Sequence, residues 1–268
     1  MHQAARLILT ADPASGALDE SACRRVQTII ETEGRWLAPG AALQFDTEAS
    51  VTRQLIEPAL SGLPIDINVV PASCRAKKLL VADMESTLIE QEMIDELASL
   101  TGRRDEIAAI TLATMRGDLD FNQSLRHRVA LLAGLTTAQI EEVAARITPM
   151  PGATALVSTM KANGTVTALV SGGFTAFIEQ VAARLGFDRH FGNGLEIATG
   201  RLTGRVLEPI LDATAKRDLL LGLAAENGLA LANVLAVGDG ANDIPMLEAA
   251  GLGVAFRAKP AVRAAMLN

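Results

Sequence analysis

Apolar residues change their spacing several times along the second half of the chain. Short apolar runs, typical of buried strands, alternate there with segments whose apolar residues recur every three or four positions, typical of helices. The strands predicted in this way are residues 165–170, 234–237 and 252–256, and the helices are residues 153–161, 175–185, 213–226 and 243–249. This alternation predicts an α/β fold with a doubly wound parallel sheet, covered by helices on both faces. Residues 195–206 alternate and contain glycines, which predicts a hairpin.

The middle of the chain, residues 91–147, has helical periodicity throughout and follows a predicted strand at residues 77–82. The apolar residues that share a helix face are Ile94, Leu97 and Leu100 on one face and Leu125, Val129 and Leu132 on another. Breaks between these helices are expected at Gly102, Gly117 and Gly134. A long helical segment is therefore predicted between the first core strand and the rest of the α/β region.

The first 75 residues form a different pattern, without catalytic signatures. The spacing predicts strands at residues 5–9, 41–45 and 65–70 and a helix at residues 18–33. We predict a separate small α+β module here.

Composition narrows the possible partners of the protein. The 268 residues are 49% hydrophobic and 21% charged, with a net charge of −7, which is typical of a globular protein and argues against a nucleic-acid partner. The most apolar stretch, residues 219–237, is interrupted by Glu226 and Asn233, so no membrane span is expected. Cys23 and Cys74 have no metal-like spacing and suggest a reducing cytoplasm, with both thiols acting as small buried hydrophobes.

Two pairs of carboxylate side chains follow predicted strands. Asp83 and Glu85 come directly after the strand at residues 77–82, where such a pair can hold a divalent metal, attack phosphorus or transfer a proton. An acidic loop that caps the next helix is the simpler alternative. Asp239 and Asp243 lie in a glycine-rich turn after residues 234–237, which suits a hard cation, although Asn242 or Asp243 could equally cap the following helix.

Two further features suit an anionic ligand. Ser171-Gly172-Gly173 follows the strand at residues 165–170 and could bind phosphate oxygens, or be an ordinary strand-to-helix turn. Lys216 lies in the first turn of a predicted helix, where the helix dipole disfavours a cation, so a phosphate is one explanation and a solvated lysine the other. If all these features meet at one sheet edge, they supply a nucleophile, a cation, phosphate donors and metal ligands for phosphoryl transfer.

The motifs together resemble the haloacid dehalogenase superfamily and, within it, the phosphoserine phosphatases. Residues 83–87 match the family pattern D-x-D-x-T with one departure, and the resemblance runs from about Lys77 to Pro260. The other matching segments are Ile89 to Leu97, Met115 to Phe121, Ser124 to Val129, Pro149 to Gly152, Ser171 to Phe174 and Gly238 to Asp243. This resemblance implies a Rossmann-like core of residues 76–90 and 148–268, with residues 91–147 as a helical cap that excludes water.

The resemblance also implies a role for each matching residue. Asp83 would be the nucleophile that accepts the phosphoryl group, and residue 85 the general acid. Mg²⁺ would be bound by the Asp83 side chain, the backbone carbonyl of Glu85 and Asp239, with Asp243 in or beside that shell. The substrate-binding residues would be Ser171, Gly172 and Lys216 at the phosphoryl group, Glu92 and Arg128 at the amino and carboxylate ends of O-phosphoserine, and Asn242.

Glutamate at position 85 departs from the family pattern, which has aspartate. The extra methylene moves the carboxyl group by roughly 1.5 Å, and a misplacement of about 1 Å can cost about a hundredfold in rate. The sequence alone therefore predicts a working but slower enzyme, in which Glu85→Asp raises turnover.

Several alternatives stay open. The substrate could be another small phosphomonoester, such as phosphohomoserine, and the chain could be a phosphotransferase. A catalytically weak amino-acid sensor is a different class, favoured only by Glu85. The N-terminal module is weakly similar to ACT-like domains, which could form a homodimer or sense an amino acid, or it could be a packing appendage. The chain ends at Asn268, earlier than is usual in the family, so it is either truncated or a short member.

Overall fold

The computed structural model describes residues 4–72, 76–116 and 118–266 of the chain. Cys74 and Gly117, which were named above, lie outside these residues. The chain forms two compact units, one ending at Ala76 and the other beginning at Lys77. None of the described helices has the length and apolar character needed to cross a membrane.

The first unit is a four-stranded antiparallel sheet with helices. Its strands are β1 (Ala4–Ala11), β2 (Arg35–Ala38), β3 (Ala42–Glu48) and β4 (Ile65–Pro71), in the order β2-β3-β1-β4, and its α-helices are α1 (Glu20–Ile30) and α2 (Arg53–Ile56). Alternate residues of β1 and β3, including Leu7, Leu9 and Phe45, pack with Val26 of α1 into a core. The sequence did not predict β2 or α2, which are four residues each and too short for a periodic signal.

The second unit is built on a five-stranded parallel sheet of order β11-β10-β5-β6-β7, beside a separate β8–β9 hairpin. Its strands are β5 (Leu79–Ala82), β6 (Val166–Phe174), β7 (Arg189–Asn193), β8 (Leu195–Ala198), β9 (Arg201–Val206), β10 (Val234–Gly238) and β11 (Leu252–Ala255). The α/β fold predicted from the sequence is confirmed. Leu79 and Val81 pack on one face of the sheet, and Leu80 and Ala82 on the other, which explains the uninterrupted apolar run of β5.

Helices cover the sheet and form the inserted segment. They are α3 (Met93–Thr101), α4 (Arg104–Met115), α5 (Phe121–Ala130), α6 (Thr137–Ala144), α7 (Ala153–Ala162), α8 (Thr175–Leu185), α9 (Ala213–Glu226), α10 (Ile244–Ala249) and α11 (Pro260–Met266). Helices α3 to α6 constitute the segment for which the resemblance implies a cap. Leu202 of the hairpin exchanges backbone hydrogen bonds with Gly134 and Leu135, each at 2.8 Å, which attaches this segment to the hairpin.

Strand β6 is longer than the sequence indicated. The prediction ended it at residue 170, but it continues through Ser171, Gly172 and Gly173 to Phe174, which pairs with Asn193. The register with β7 shifts between Val170 and Phe174, so the glycine-rich segment is an irregular part of the strand and not a separate turn.

Candidate active site

The predicted functional residues meet at the carboxyl ends of three neighbouring strands. Strand β5 leads into Asp83, β10 into Asp239, and β6 carries Ser171, and these strands are adjacent in the order β10-β5-β6. Parallel strands end at the same edge, where α/β proteins bind their ligands. Carboxylate oxygens of Asp83, Asp239 and Asp243 lie within 4.8 Å of one another.

Asp83 is buried and held in place by its backbone. Its N–H donates to the carbonyl of Val237 at 2.9 Å, which extends the pairing of β5 with β10 by one residue. Its pKa is raised to about 7, first by burial and then by the charge of Asp243, while Lys216 acts in the opposite direction.

Lys216 is 1% exposed and lies between two of these carboxylates. Its Nζ donates to Oδ1 of Asp83 at 2.6 Å and to Oδ1 of Asp243 at 2.7 Å. Burial by itself lowers the pKa of Lys216, but Asp83 and Asp243 raise it above its ordinary value. The lysine was unexpected in the first turn of a helix, and these two anions explain its position.

Asp243 organises the loop after β10. Its Oδ2 accepts from the N–H groups of Asp239 and Gly240 at 3.2 and 3.0 Å, and it makes no side-chain cap bond to α10. A Cβ atom at Gly238 would lie 2.5 Å from Cγ of Asp243, so only glycine fits there. The N-cap alternative therefore does not describe the Asp243 side chain. Asn242 is half-buried and lies against Gly240.

The Glu85 side chain is held in one position by a hydrogen bond and by its fit against Gly173. Its Oε1 accepts from the N–H of Met93 at 2.9 Å, at the start of α3. Its carboxyl atoms lie 3.1 Å from the point where a Cβ atom at residue 173 would be, so the absence of a side chain at Gly173 gives Glu85 its space. Burial, followed by the charge of Glu92, raises the pKa of Glu85 to about 8.

Glu92 and Arg128 belong to the inserted segment, and both lie near Glu85. Glu92 accepts from the hydroxyl of Ser86 at 2.8 Å, and burial raises its pKa. Arg128 is half-buried; burial lowers its pKa, and the charges of Glu85, Asp95 and Glu92 oppose that shift. Among the residues that the structure describes, the guanidinium makes one hydrogen bond, and it is long: 3.4 Å from Nε to the carbonyl of Ser124. Most of the guanidinium donors are therefore left for another partner.

The Ser171 and Gly172 segment lies beside Phe121 of helix α5. Ser171 is buried, and its Oγ accepts from the N–H of Gly173 at 3.0 Å. The ring of Phe121, from α5, is 3.2 Å from the point that a Cβ atom at Gly172 would occupy, so a side chain there would press on the ring.

Sequence reasoning missed Lys259 and Asn193. The Nζ of Lys259 lies 3.3 Å from Oδ2 of Asp239, and its pKa, lowered by burial, is raised overall by Asp239 and Glu92. Its place just beyond the last strand of the sheet was the available signal, because that is the ligand-binding edge. Asn193 ends a polar edge strand that the apolar pattern did not reveal.

The chain is similar to several known proteins. A family model described as haloacid dehalogenase-like hydrolase matches residues 80–248. A protein of Streptomyces coelicolor named phosphoserine phosphatase is 46% identical over 232 residues, which is 85% of this chain. The chain spans 57% of the length of that relative.

Two solved structures are also similar. A crystal structure of a HAD family hydrolase from Salmonella enterica serovar Typhi has a TM-score of 0.87 and 33% identity, covering 97% of this chain and 92% of that one. A structure described as a phospho-aspartyl intermediate analogue of phosphoserine phosphatase has a TM-score of 0.67 and 42% identity, covering 71% of this chain and 91% of that one.

Proposed function

This chain belongs to the haloacid dehalogenase-like hydrolases, and we propose that it hydrolyses O-phosphoserine to serine and phosphate through a phospho-aspartate on Asp83. The observation that carries the proposal is the buried contact of Asp83 with Lys216, beside two further aspartates at the edge of the sheet. The similarity to proteins named phosphoserine phosphatase supports the choice of substrate. Such a reaction completes the synthesis of serine.

We assign a Mg²⁺ ion to the aspartate cluster. Side chains of Asp83, Asp239 and Asp243 and the backbone carbonyl of Glu85 would hold it, since Mg²⁺ prefers oxygen ligands and near-octahedral geometry. When bound, the ion supplies positive charge that reduces the repulsion between a phosphate dianion and the Asp83 carboxylate.

Asp83 and Glu85 act in both steps of the proposed hydrolysis. In the first, an oxygen of Asp83 bonds to phosphorus, the bond to the seryl oxygen breaks, and Glu85 gives its proton to that oxygen. In the second, the Glu85 carboxylate takes a proton from water, whose oxygen attacks phosphorus and releases Asp83. Lys216, Ser171 and the N–H of Gly172 stabilise the charge on the transferred group.

Arg128 and Glu92 give the proposed specificity for an amino-acid phosphate. The guanidinium can bind both oxygens of a carboxylate, and Glu92 can bind an ammonium group. Both come from the segment inserted between β5 and α7, which we assign as a cap that excludes water.

Phosphate release from O-phosphoserine by the full-length protein tests the proposal. We expect release that requires Mg²⁺, is lost in EDTA and is lost in Asp83→Asn, with a phosphorylated protein trapped from the wild type only. Asp218→Asn is the matched control, because Asp218 is exposed and pairs only with Arg217 among the described residues. Release that persists in Asp83→Asn would refute the mechanism.

A panel of substrates that includes phosphohomoserine and phosphothreonine decides which phosphomonoester the protein hydrolyses. If phosphate were released from none of them, the sensor alternative would be favoured.

A further inference from the structure

The side chain of Asn193 makes three hydrogen bonds in the protein interior, and the proposed reaction assigns it no role. Asn193 is the last residue of β7 and is 1% exposed. Its Oδ1 accepts from the N–H of Leu211 at 2.7 Å, and its Nδ2 donates to the carbonyl of Gly172 at 2.8 Å and to that of Leu211 at 3.3 Å. One amide therefore joins two separate segments of the site.

The first of these segments is the irregular part of β6. Between the pairs Val170–Phe191 and Phe174–Asn193, three residues of β6 face the single residue Gly192 of β7. A regular ladder cannot orient all the peptide groups of such a segment, so side chains must contribute. The peptide between Gly172 and Gly173 is fixed at both ends, because its carbonyl accepts from Asn193 and its N–H donates to Oγ of Ser171.

The second segment leads into the helix that carries Lys216. Leu211 precedes Asp212, whose Oδ1 caps α9 by accepting from the N–H of Ala215 at 2.9 Å. Lys216 follows in the first turn and contacts Asp83. Because Asn193 binds both backbone groups of Leu211, it fixes the point where this helix begins.

We propose that Asn193 is a positioning residue. By fixing the carbonyl of Gly172 and both backbone groups of Leu211, it keeps residue 172 and the start of α9 at a fixed separation, with the Gly172 N–H and the Lys216 ammonium on either side of the transferred phosphoryl group. The inference rests on the proposed function, since these two groups act on the substrate. Asn193 itself does not contact the reacting atoms. Its effect should appear in kcat more than in KM, because Glu92 and Arg128 would still hold the other end of the substrate.

Asn193→Ala is the first test, with Asn227→Ala as the matched control. Asn227 lies at the opposite end of α9 and also donates from Nδ2 to a backbone carbonyl, that of Leu223 at 2.8 Å. Below the unfolding temperature of both variants, we expect Asn193→Ala to lower kcat by about tenfold to a hundredfold, as for a displacement approaching 1 Å. Asn227→Ala should leave kcat unchanged. A wild-type kcat in Asn193→Ala would overturn the positioning role.

Asn193→Asp provides a second test, which keeps the volume of the side chain if the alanine variant does not fold. An ionised Asp cannot donate to Gly172, whereas a protonated one can, and burial favours the protonated form. We expect the kcat deficit relative to wild type to be largest at pH 9 and to shrink towards pH 6. A deficit independent of pH would contradict the role of this donor. A wild type that releases no phosphate would refute the proposed function and this inference with it, whereas an active wild type with equally active Asn193 variants refutes only the inference.

Discussion

The Nζ atom of Lys216 lies 2.6 Å from Oδ1 of Asp83, and both side chains are almost fully excluded from solvent. A second carboxylate, that of Asp243, shares the same ammonium at 2.7 Å. Three buried charges in contact are costly to desolvate, so the arrangement is poorly explained by stability alone. It fits the proposed function, in which Asp83 is a carboxylate nucleophile beside a fixed cation.

Replacing Lys216 by Met should therefore damage both activity and stability. We expect kcat to fall by at least about 10²-fold, as for the loss of a preorganised electrostatic contact. The free energy of unfolding should fall by about 3–5 kcal/mol, because two buried carboxylates lose their counter-charge. Steady-state kinetics and urea denaturation measure the two effects.

Lys161→Met is the control for this substitution. Lys161 pairs with Asp188 at the same distance of 2.6 Å, but both side chains are 39% exposed. An exposed pair contributes at most about 1 kcal/mol, so this variant should keep wild-type kcat. Equal losses in the two variants would contradict the special role of Lys216.

The fold of the core was predictable because its elements have strong local signals. Residues 213–226 were predicted as a helix and form one with the same bounds, since Asp212 caps its start and Asn227 ends it. The edge strand Arg189–Asn193 was not predicted, because its exposed arginine and histidine hide the strand pattern. The sequence located Asp83, Lys216, Asp239 and Asp243, but neither Lys259 nor the contacts within the site. The contacts of Lys216 with Asp83 and Asp243, and of Asn193 with Gly172, join segments that are distant in the chain.

Arg128→Ala should reduce specificity for an amino-acid phosphate. The loss of the guanidinium should raise KM for O-phosphoserine by about tenfold or more, since a hydrogen bond to a charged group contributes about 1.5–3 kcal/mol. KM for phosphoethanolamine, which lacks the carboxylate, should change little. Arg126→Ala is the neighbouring control, because Arg126 is exposed and pairs with Glu208 at 2.6 Å. Equal effects on both substrates would show that Arg128 does not bind the carboxylate.

The fit between Glu85 and Gly173 predicts coupled substitutions. The hydrogen bond from Met93 holds the longer side chain in place, so the structure changes the expectation drawn from the sequence: Glu85→Asp should now lower turnover, because the shorter side chain withdraws from this donor. Gly173→Ala should also lower kcat, since its Cβ would lie 3.1 Å from the Glu85 carboxyl group. In the double variant the shorter acid leaves room for the methyl group. The fold-reduction in kcat should therefore be smaller than the product of the fold-reductions in the two single variants. Independent, multiplicative losses would contradict the contact.

The stability of the metal-free protein should fall as pH rises from about 4 to about 8. The pKa of Asp83 is raised from 3.8 to about 7 and that of Glu85 from 4.5 to about 8, both chiefly by burial. At pH values between the pKa of a group in the unfolded state and its pKa in the folded state, the folded state binds more protons than the unfolded state. The free energy of unfolding therefore decreases as pH increases over this range. Above about pH 8 both groups are ionised in both states and the decrease ends. Thermal unfolding in EDTA from pH 4 to pH 9 measures this dependence, and Glu85→Gln should show a smaller decrease than wild type. Glu141→Gln, on the exposed surface of α6, is the control and should retain the wild-type profile.

Mg²⁺ should stabilise the wild type more at pH 8 than at pH 5, because it binds the ionised carboxylates. An equal effect at both pH values would argue against a metal site formed by Asp83, Asp239 and Asp243.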